Sequence, residues 1–143
     1  MAVGEHMHTA AVALAGAGAD CWHGVLLRGP SGSGKSDLAA RAIDAGARLI
    51  SDDQTLLRND GGSIVMTAPA ALAGLLEMGG LAIVVAPALA ACELVLMVDL
   101  VAAEQVERLP EPSTVELLGV AVPRLALAPF EASALAKLRL AVA

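Results

Sequence analysis

The chain has 143 residues, which is enough for one domain with a sizeable core. It carries a formal net charge of −6 at pH 7, and Trp22 and Phe130 are its only aromatic residues. Because the chain has neither a basic footprint nor aromatic platforms for bases, we expect no nucleic-acid partner. The hydrophobic fraction of 57% with so few aromatic residues predicts an aliphatic core.

The same composition favours a cytoplasmic protein without a membrane partner. The two cysteines have no C-x-x-C or metal-ligand spacing, and reduced thiols fit them better than a disulfide. The uncharged, strongly apolar stretch at residues 78–92 is too short to span a bilayer. No Lys or Arg precedes the apolar run at residues 9–19, which disfavours a signal peptide. We expect residues 1–7 to be flexible or an addition to the natural chain.

The first predicted elements surround a glycine-rich loop. Residues 9–14 and 24–28 are typical of strands, and residues 37–44 carry apolar side chains at helical spacing. Between the second strand and the helix stands the segment Gly29-Pro30-Ser31-Gly32-Ser33-Gly34-Lys35-Ser36, which reads G-x-x-x-x-G-K-S. A strand, such a loop and a helix N-terminus form a nest of backbone N–H groups that attracts phosphate.

This motif, the P-loop, predicts binding of a nucleoside triphosphate. The ammonium group of Lys35 would reach the β- and γ-phosphates, and the hydroxyl of Ser36 would bind Mg²⁺. The alternative is a chance turn rich in Gly and Ser, which the completeness of the motif and its flanking elements disfavour.

Two carboxylates follow the next predicted strand, at residues 48–51. Asp52 and Asp53 come 17 and 18 residues after Lys35. Phosphoryl transfer needs one carboxylate to hold Mg²⁺ and another to accept the proton of the acceptor group. The pair fits both roles, whereas the alternative is an ordinary Asp turn at a strand end.

The middle of the chain predicts a hairpin, a short helix and two buried strands. The hairpin is predicted at residues 55–66 around an Asn-Asp-Gly-Gly turn. The helix is predicted at residues 69–76, and the strands at residues 81–85 and 94–100 are continuous apolar runs of buried type. Glu77 interrupts an apolar stretch, so it is either a metal ligand or a solvated helix end.

Strands at about residues 115–118 and 125–127 and a helix from about residue 131 complete the chain. Together, the predicted elements indicate an α/β fold with a mixed sheet, since a hairpin lies beside the P-loop strand. Arg108 is a candidate cation for the transition state, and His8 is a candidate for orienting a phosphate or a proton. Taken alone, both also fit ordinary surface residues.

Together, these motifs resemble the catalytic domain of HPr kinase/phosphorylase, in a short form that lacks the family's N-terminal domain. Besides the P-loop, the matching runs are residues 46–53, 68–69, 76–81, 107–109 and 118–123. The resemblance implies a sheet similar to the phosphoenolpyruvate carboxykinase-like nucleotide-binding core, and assembly as hexamers. It also implies phosphorylation of a serine of HPr, the phosphocarrier of the bacterial sugar phosphotransferase system.

The resemblance further implies a role for each motif residue. Lys35 and the rest of the P-loop bind ATP, while Ser36 and Glu77 bind Mg²⁺. Asp53 accepts the proton of the substrate serine and Asp52 assists at the metal, although the two aspartates could exchange these roles.

His8 and Arg108 correspond to the family's catalytic histidine and arginine. Two departures from the family pattern concern positive charge. Gly79 stands where the family's signature has Arg, and residues 128–133 replace a loop with Pro and Arg that is linked to dephosphorylation.

We therefore predict an ATP- and Mg²⁺-dependent serine kinase of an HPr-like carrier protein, with weak or absent phosphorylase activity. One alternative is a P-loop kinase of a small metabolite. Another is a nucleotide-sensing regulatory module with little transfer activity. Gly79 favours this alternative, and the retained residues Lys35, Ser36, Asp52, Asp53 and Arg108 oppose it.

Overall fold

The computed structural model describes residues 4–18 and 20–143. Within them, nine strands form one mixed sheet, and two further strands form a small separate hairpin. The strands are β1 (Gly4–Met7), β2 (Thr9–Ala15), β3 (Trp22–Arg28), β4 (Arg48–Ser51), β5 (Thr55–Asp60), β6 (Ser63–Thr67), β7 (Leu75–Met78), β8 (Ala82–Val85), β9 (Ala91–Leu100), β10 (Ser113–Leu117) and β11 (Val120–Leu127). The α-helices are α1 (Lys35–Asp44) and α2 (Ala134–Val142).

The strand order brings four strand ends to one edge of the large sheet. The order is β1-β5-β6-β9-β3-β2-β4, and β11 pairs with both β9 and β10. β3 and β11 run parallel to β9, and β4 has the direction of β3 because β2 is antiparallel to both. β3, β4, β9 and β11 therefore end at the same edge, which we call the carboxyl edge. Open α/β sheets bind their ligands at such edges.

Aliphatic side chains cover both faces of the sheet. On one face, α1 buries Leu38 and Ala42 against Val12 and Leu27. On the other face, a second cluster around Leu26 packs under the β5–β6 hairpin and β10. Ala, Val, Leu, Ile, Met and Cys make up the buried members of both clusters. The α/β class, the mixed sheet and the aliphatic core predicted from the sequence are confirmed.

Two predictions for the middle of the chain are wrong. Residues 69–76 do not form one helix, because only Ala70–Leu72 makes a 3₁₀ turn and Leu75–Met78 is strand β7. Gly74 has a φ of +73°, which breaks the helical path before the strand begins. The strand at residues 82–85 exists but is not buried, since β8 pairs with β7 in the separate hairpin. Ile83 and Val85 of β8 have exposed apolar side chains, and so does Leu81, which precedes the strand.

Residues 4–7 belong to the segment 1–7, which the sequence led us to expect as flexible or as an addition to the natural chain. These residues form β1, which pairs antiparallel with β5 from Gly4 opposite Arg58 to Met7 opposite Thr55. Residues 1–3 lie outside the described part of the chain. Among the described helices, none is long and apolar enough to cross a membrane.

Candidate active site

The segments that carry most of the predicted site residues meet at the carboxyl edge. The loop of residues 29–36 follows β3, and Asp52 and Asp53 follow β4. Residues 101–108 follow β9, and residues 128–133 follow β11. Sequence positions far apart in the chain therefore surround the end of the P-loop strand.

The loop of residues 29–36 has the shape of an anion cradle. Gly32 and Gly34 have φ values of +81° and +101°, which favour glycine, and the N–H of Ser33 donates to the carbonyl of Pro30 at 3.0 Å. A Cβ atom on Gly29 would lie 2.5 Å from Ser33 Oγ, so a side chain at this position would force Ser33 to move. Within the described residues, Ser33 Oγ is buried without a hydrogen-bond partner. A phosphate oxygen in the cradle would fit this unsatisfied hydroxyl.

Helix α1 begins directly at the loop, with Lys35 as its first residue. The N–H of Leu38 donates to the carbonyl of Gly34 at 2.9 Å, so the N–H groups before Leu38 belong to the first turn, where a helix offers no acceptor. Lys35 Nζ curls back over the loop and donates to the carbonyls of Gly29 (2.6 Å) and Pro30 (3.1 Å). The first-turn N–H groups of α1 and the ammonium group of Lys35 thus lie at the same loop.

Asp52 connects the P-loop to the small hairpin. Its residue is 6% exposed, and Ser36 Oγ donates to its Oδ1 at 2.8 Å. The backbone N–H of Glu77 in β7 donates to its Oδ2 at 2.9 Å. Since each carboxylate oxygen accepts a hydrogen bond from the protein, Asp52 acts as a fixed link that orients the Ser36 hydroxyl.

Asp53 has the opposite environment from its neighbour. It is exposed and has a φ of +71°, a left-handed conformation that Asp tolerates better than most residues. The turn is held by the N–H of Gln54, which donates to the carbonyl of Asp52 at 2.8 Å, and by the Ser51 hydroxyl, which donates to the carbonyl of Gln54. In the described part of the chain its carboxylate has no hydrogen bond or ion pair, so it is available to a substrate.

Glu77 lies on β7 with its side chain exposed, while its neighbour Leu76 is buried in the core. Both predicted Mg²⁺ ligands therefore lie next to Asp52: Ser36 contacts it through its hydroxyl and Glu77 through its backbone. Among residues 4–18 and 20–143, no group of three or more His, Cys, Asp or Glu side chains is placed to hold a metal. A hydroxyl and one or two carboxylates fit Mg²⁺ that is completed by substrate phosphates and water.

His8 and Arg108 are exposed residues near the same edge. His8 precedes Thr9, which pairs with Arg28 at the end of β3, so His8 lies at the carboxyl edge. Arg108 lines a groove beside Leu127 and Glu131. Within the described residues, neither side chain forms a hydrogen bond with the P-loop or with Asp53.

A charge cluster next to the P-loop was missed from the sequence. Asp99 in β9 accepts hydrogen bonds from Arg28 Nε at 2.6 Å and from Arg124 Nε at 2.5 Å. Burial works to raise the pKa of Asp99, but the hydrogen bonds and charges of the two arginines outweigh it and hold that pKa below its usual value. The signal in the sequence that could have revealed this cluster was an acidic residue directly after the apolar run 94–98.

A second missed contact joins the P-loop to the turn between β11 and α2. A Cβ atom on Gly34 would lie 2.9 Å from Phe130 Cζ and 3.1 Å from Pro129 Cγ. Arg41 of α1 donates to the carbonyl of Pro129, which fixes this turn on the helix. The turn is remote in sequence from the P-loop, and the comparison of residues 128–133 with the family's loop gave no indication of this contact.

Comparison with known proteins gives the family. The sequence profile described as the HPr Serine kinase C-terminal domain matches residues 1–139. The chain belongs to this family. It is 39% identical to an HPr kinase/phosphorylase of Clostridium botulinum over 61 residues, which are 43% of this chain and 20% of that protein. It is 45% identical to an HPr kinase/phosphorylase of Lacticaseibacillus casei over 62 residues, 43% of this chain and 19% of that protein.

A solved structure of similar fold is the Hpr(Ser) kinase/phosphatase from Coxiella burnetii. It superposes with a TM-score of 0.78 at 23% identity, covering 95% of this chain and 86% of that chain. The match confirms the mixed α/β architecture. The segments matched in the two curated relatives are only about one fifth of those proteins' length.

The glycine at position 79 is not required by the backbone. A Cβ atom on Gly79 would meet nothing within 4 Å, and its φ lies outside the left-handed region that favours glycine. Its neighbour Gly80, with a φ of +80°, makes the turn between β7 and β8. The arginine that the family resemblance leads one to expect at position 79 is therefore absent for reasons other than space.

Proposed function

We propose that this chain is an ATP- and Mg²⁺-dependent serine kinase that phosphorylates an HPr-like phosphocarrier protein of the phosphotransferase system, with weak or absent phosphorylase activity. The observation that carries the proposal is the arrangement of Ser36, Asp52 and Asp53. A buried carboxylate orients the P-loop serine, and an exposed carboxylate on the next residue is left for the acceptor. We also propose that the protein is cytoplasmic, as its composition predicts.

The residues divide the reaction between them. The P-loop amides and Lys35 bind the phosphates of ATP, and Ser36 and Glu77 would hold Mg²⁺, which neutralises charge on the phosphates when bound. The substrate serine hydroxyl attacks the γ-phosphorus, a P–O bond to the serine forms, and the bond to ADP breaks. Asp53 takes the proton of the hydroxyl.

The contacts favour Asp53 over Asp52 as the base. Both oxygens of Asp52 already accept hydrogen bonds, from Ser36 Oγ at 2.8 Å and from the N–H of Glu77 at 2.9 Å. Protonation of Asp52 would weaken these hydrogen bonds, because they stabilise the charged carboxylate. Asp53 has no such partners in the described structure, so its carboxylate can approach a serine directly.

The shortage of free positive charge at the carboxyl edge supports an enzyme that works mostly in the kinase direction. Attack on a phosphoserine by inorganic phosphate places several phosphoryl oxygens together and needs extra cations. Position 79 lacks the arginine, the turn after β11 carries Phe130 and Glu131, and Asp99 already pairs with Arg28 and Arg124. Transfer from ATP still has Lys35 and Mg²⁺.

One assay tests the proposal directly. The purified protein is incubated with labelled ATP, Mg²⁺ and the HPr-type proteins of the same cell, and the products are mapped by mass spectrometry. We expect a phosphoserine on the carrier that depends on both ATP and Mg²⁺. ATP binding without any labelled protein would instead support a nucleotide-sensing module, the alternative that Gly79 favours.

We also propose that the chain assembles into an oligomer, a hexamer by family resemblance. The outer surface of the β7–β8 hairpin supports this, because Leu81, Ile83 and Val85 are 76%, 68% and 83% exposed. Apolar patches of this kind on soluble proteins mark interaction sites. Light scattering at micromolar concentration that reports a monomer would contradict it.

A further inference from the structure

Phe130 is an exposed aromatic ring at the mouth of the P-loop. Its residue is 70% exposed, although a phenylalanine side chain gains free energy from burial. Its ring lies against Gly34, since a Cβ atom on that glycine would lie 2.9 Å from Cζ and 3.2 Å from Cε1. Because most of the residue is exposed, most of the ring surface is open to a ligand.

The ring is held in place by its neighbours. Pro129 is buried, and its carbonyl accepts a hydrogen bond from Arg41 of α1. Arg41 is itself paired with Asp37 at 3.0 Å, one turn earlier on the same helix. The turn that carries Phe130 is thus fixed to the first turns of the helix whose N-terminus forms the phosphate cradle.

Among the Phe, Trp and Tyr residues of the chain, Phe130 alone lies at this edge of the sheet. The sequence contains one Phe, one Trp and no Tyr. Trp22 begins β3, at the opposite end of that strand from the P-loop, and its ring lies against the guanidinium of Arg48 with Arg48 Cζ 5.4 Å from the ring centroid. An aromatic ring at the mouth of a phosphate site is suited to stack on the base of a bound nucleotide.

We propose that Phe130 is a nucleotide-binding residue whose ring stacks on the base of the nucleoside triphosphate held by the P-loop. The proposal rests on the proposed ATP binding and adds a residue that determines how the base is recognised. A ring face attracts any base through stacking rather than through its hydrogen-bonding edge. Phe130 therefore contributes equally to the binding of ATP and GTP and contributes nothing to the binding of a bare triphosphate.

The test is calorimetric titration of ATP, GTP and inorganic tripolyphosphate, with Mg²⁺, into the native protein and Phe130→Ala. We expect the variant to bind ATP and GTP about 5- to 150-fold more weakly, as the loss of one stacked base predicts. Tripolyphosphate affinity should stay within about twofold of the native value, because it lacks a base. Leu140→Ala, at a 77% exposed apolar position on α2, is the matched control and should leave all three affinities unchanged.

Two further variants separate stacking from packing. Phe130→Trp should bind ATP at least as tightly as the native protein, whereas Phe130→Leu should remain weak because it restores apolar volume without a ring face. Equal weakening of ATP and tripolyphosphate, or restored affinity in Phe130→Leu, would overturn the proposal. A native protein that binds tripolyphosphate and ATP equally would overturn it too, while one that binds neither ligand would overturn the proposed function itself.

Discussion

Exchange of each aspartate of the pair for asparagine should separate a structural role from a chemical one. Asp52→Asn is expected to lower the stability of the fold and to weaken nucleotide binding. Asp53→Asn is expected to leave both unchanged and to abolish most of the transfer. Asparagine is nearly isosteric with aspartate and also tolerates the left-handed φ of +71° at position 53, so the substitution removes charge without new backbone strain.

The magnitude at position 52 follows from its two hydrogen bonds. The amide retains one oxygen but places an NH₂ group where the other oxygen was, so Ser36 Oγ or the N–H of Glu77 loses its acceptor. A hydrogen bond to a charged group contributes about 1.5–3 kcal/mol, and we expect a loss of this order. In a chain of this length, that corresponds to a fall of roughly 5–10 °C in the unfolding midpoint. At exposed Asp53 the change should stay within about 0.5 kcal/mol.

The roles of Asp52 and Asp53 are tested by thermal unfolding, ATP titration and single-turnover transfer on the same preparations. With Asp53→Asn, we expect native stability, native ATP affinity and a transfer rate reduced about a hundredfold or more. The reverse pattern would refute the assignment. In that case Asp53→Asn would transfer at a near-native rate, and Asp52→Asn would keep its stability but lose transfer.

Three more predictions concern charges around the site. Lys35→Ala should nearly abolish ATP binding in a calorimetric titration, because the ammonium group is the point charge of the cradle; unchanged affinity would remove the P-loop from the mechanism. The native phosphorylase rate should be much slower than the kinase rate, and Gly79→Arg, which meets no steric obstacle, should raise it; equal native rates on one carrier would contradict this. The pKa of Asp99 is held low in the folded state, so its ion pairs should stabilise the protein fully above about pH 5 and lose this contribution as the pH falls through that lowered pKa. The difference in unfolding free energy between the native protein and Asp99→Asn should accordingly shrink in acid, and urea titrations at pH 7 and pH 3 that give equal differences would count against it.

Much of the site could be predicted because its parts are short and contiguous. The P-loop needs glycines at fixed positions, a lysine and a serine within eight residues, and each requirement is local. The aspartate pair stands directly after an apolar strand, so its place at the strand end followed from the sequence. The residues of β9 were predicted as a buried strand for the same local reason.

The remaining features depend on contacts between distant segments. The β7–β8 hairpin was mistaken for a helix followed by a buried strand, since apolar runs do not tell which elements will cover them. Asp99 directly follows the apolar run 94–98, and only the pairing of β9 with β3 and β11 reveals that two arginines neutralise it. Phe130 lies almost a hundred residues after Gly34 in the sequence, and no motif indicates that the two residues are in contact.

The aspartate pair shows how adjacent residues acquire different chemistry. Two neighbouring carboxylates beside a triphosphate would repel both each other and the ligand if both were bare. At Asp52 the negative charge is stabilised by hydrogen bonds from Ser36 Oγ and the N–H of Glu77. Asp53 has a left-handed φ of +71° and is exposed, so water stabilises the charge of its carboxylate. Two adjacent carboxylates thus differ in environment: that of Asp52 holds the P-loop serine, and that of Asp53, which we propose as the proton acceptor, remains open to solvent.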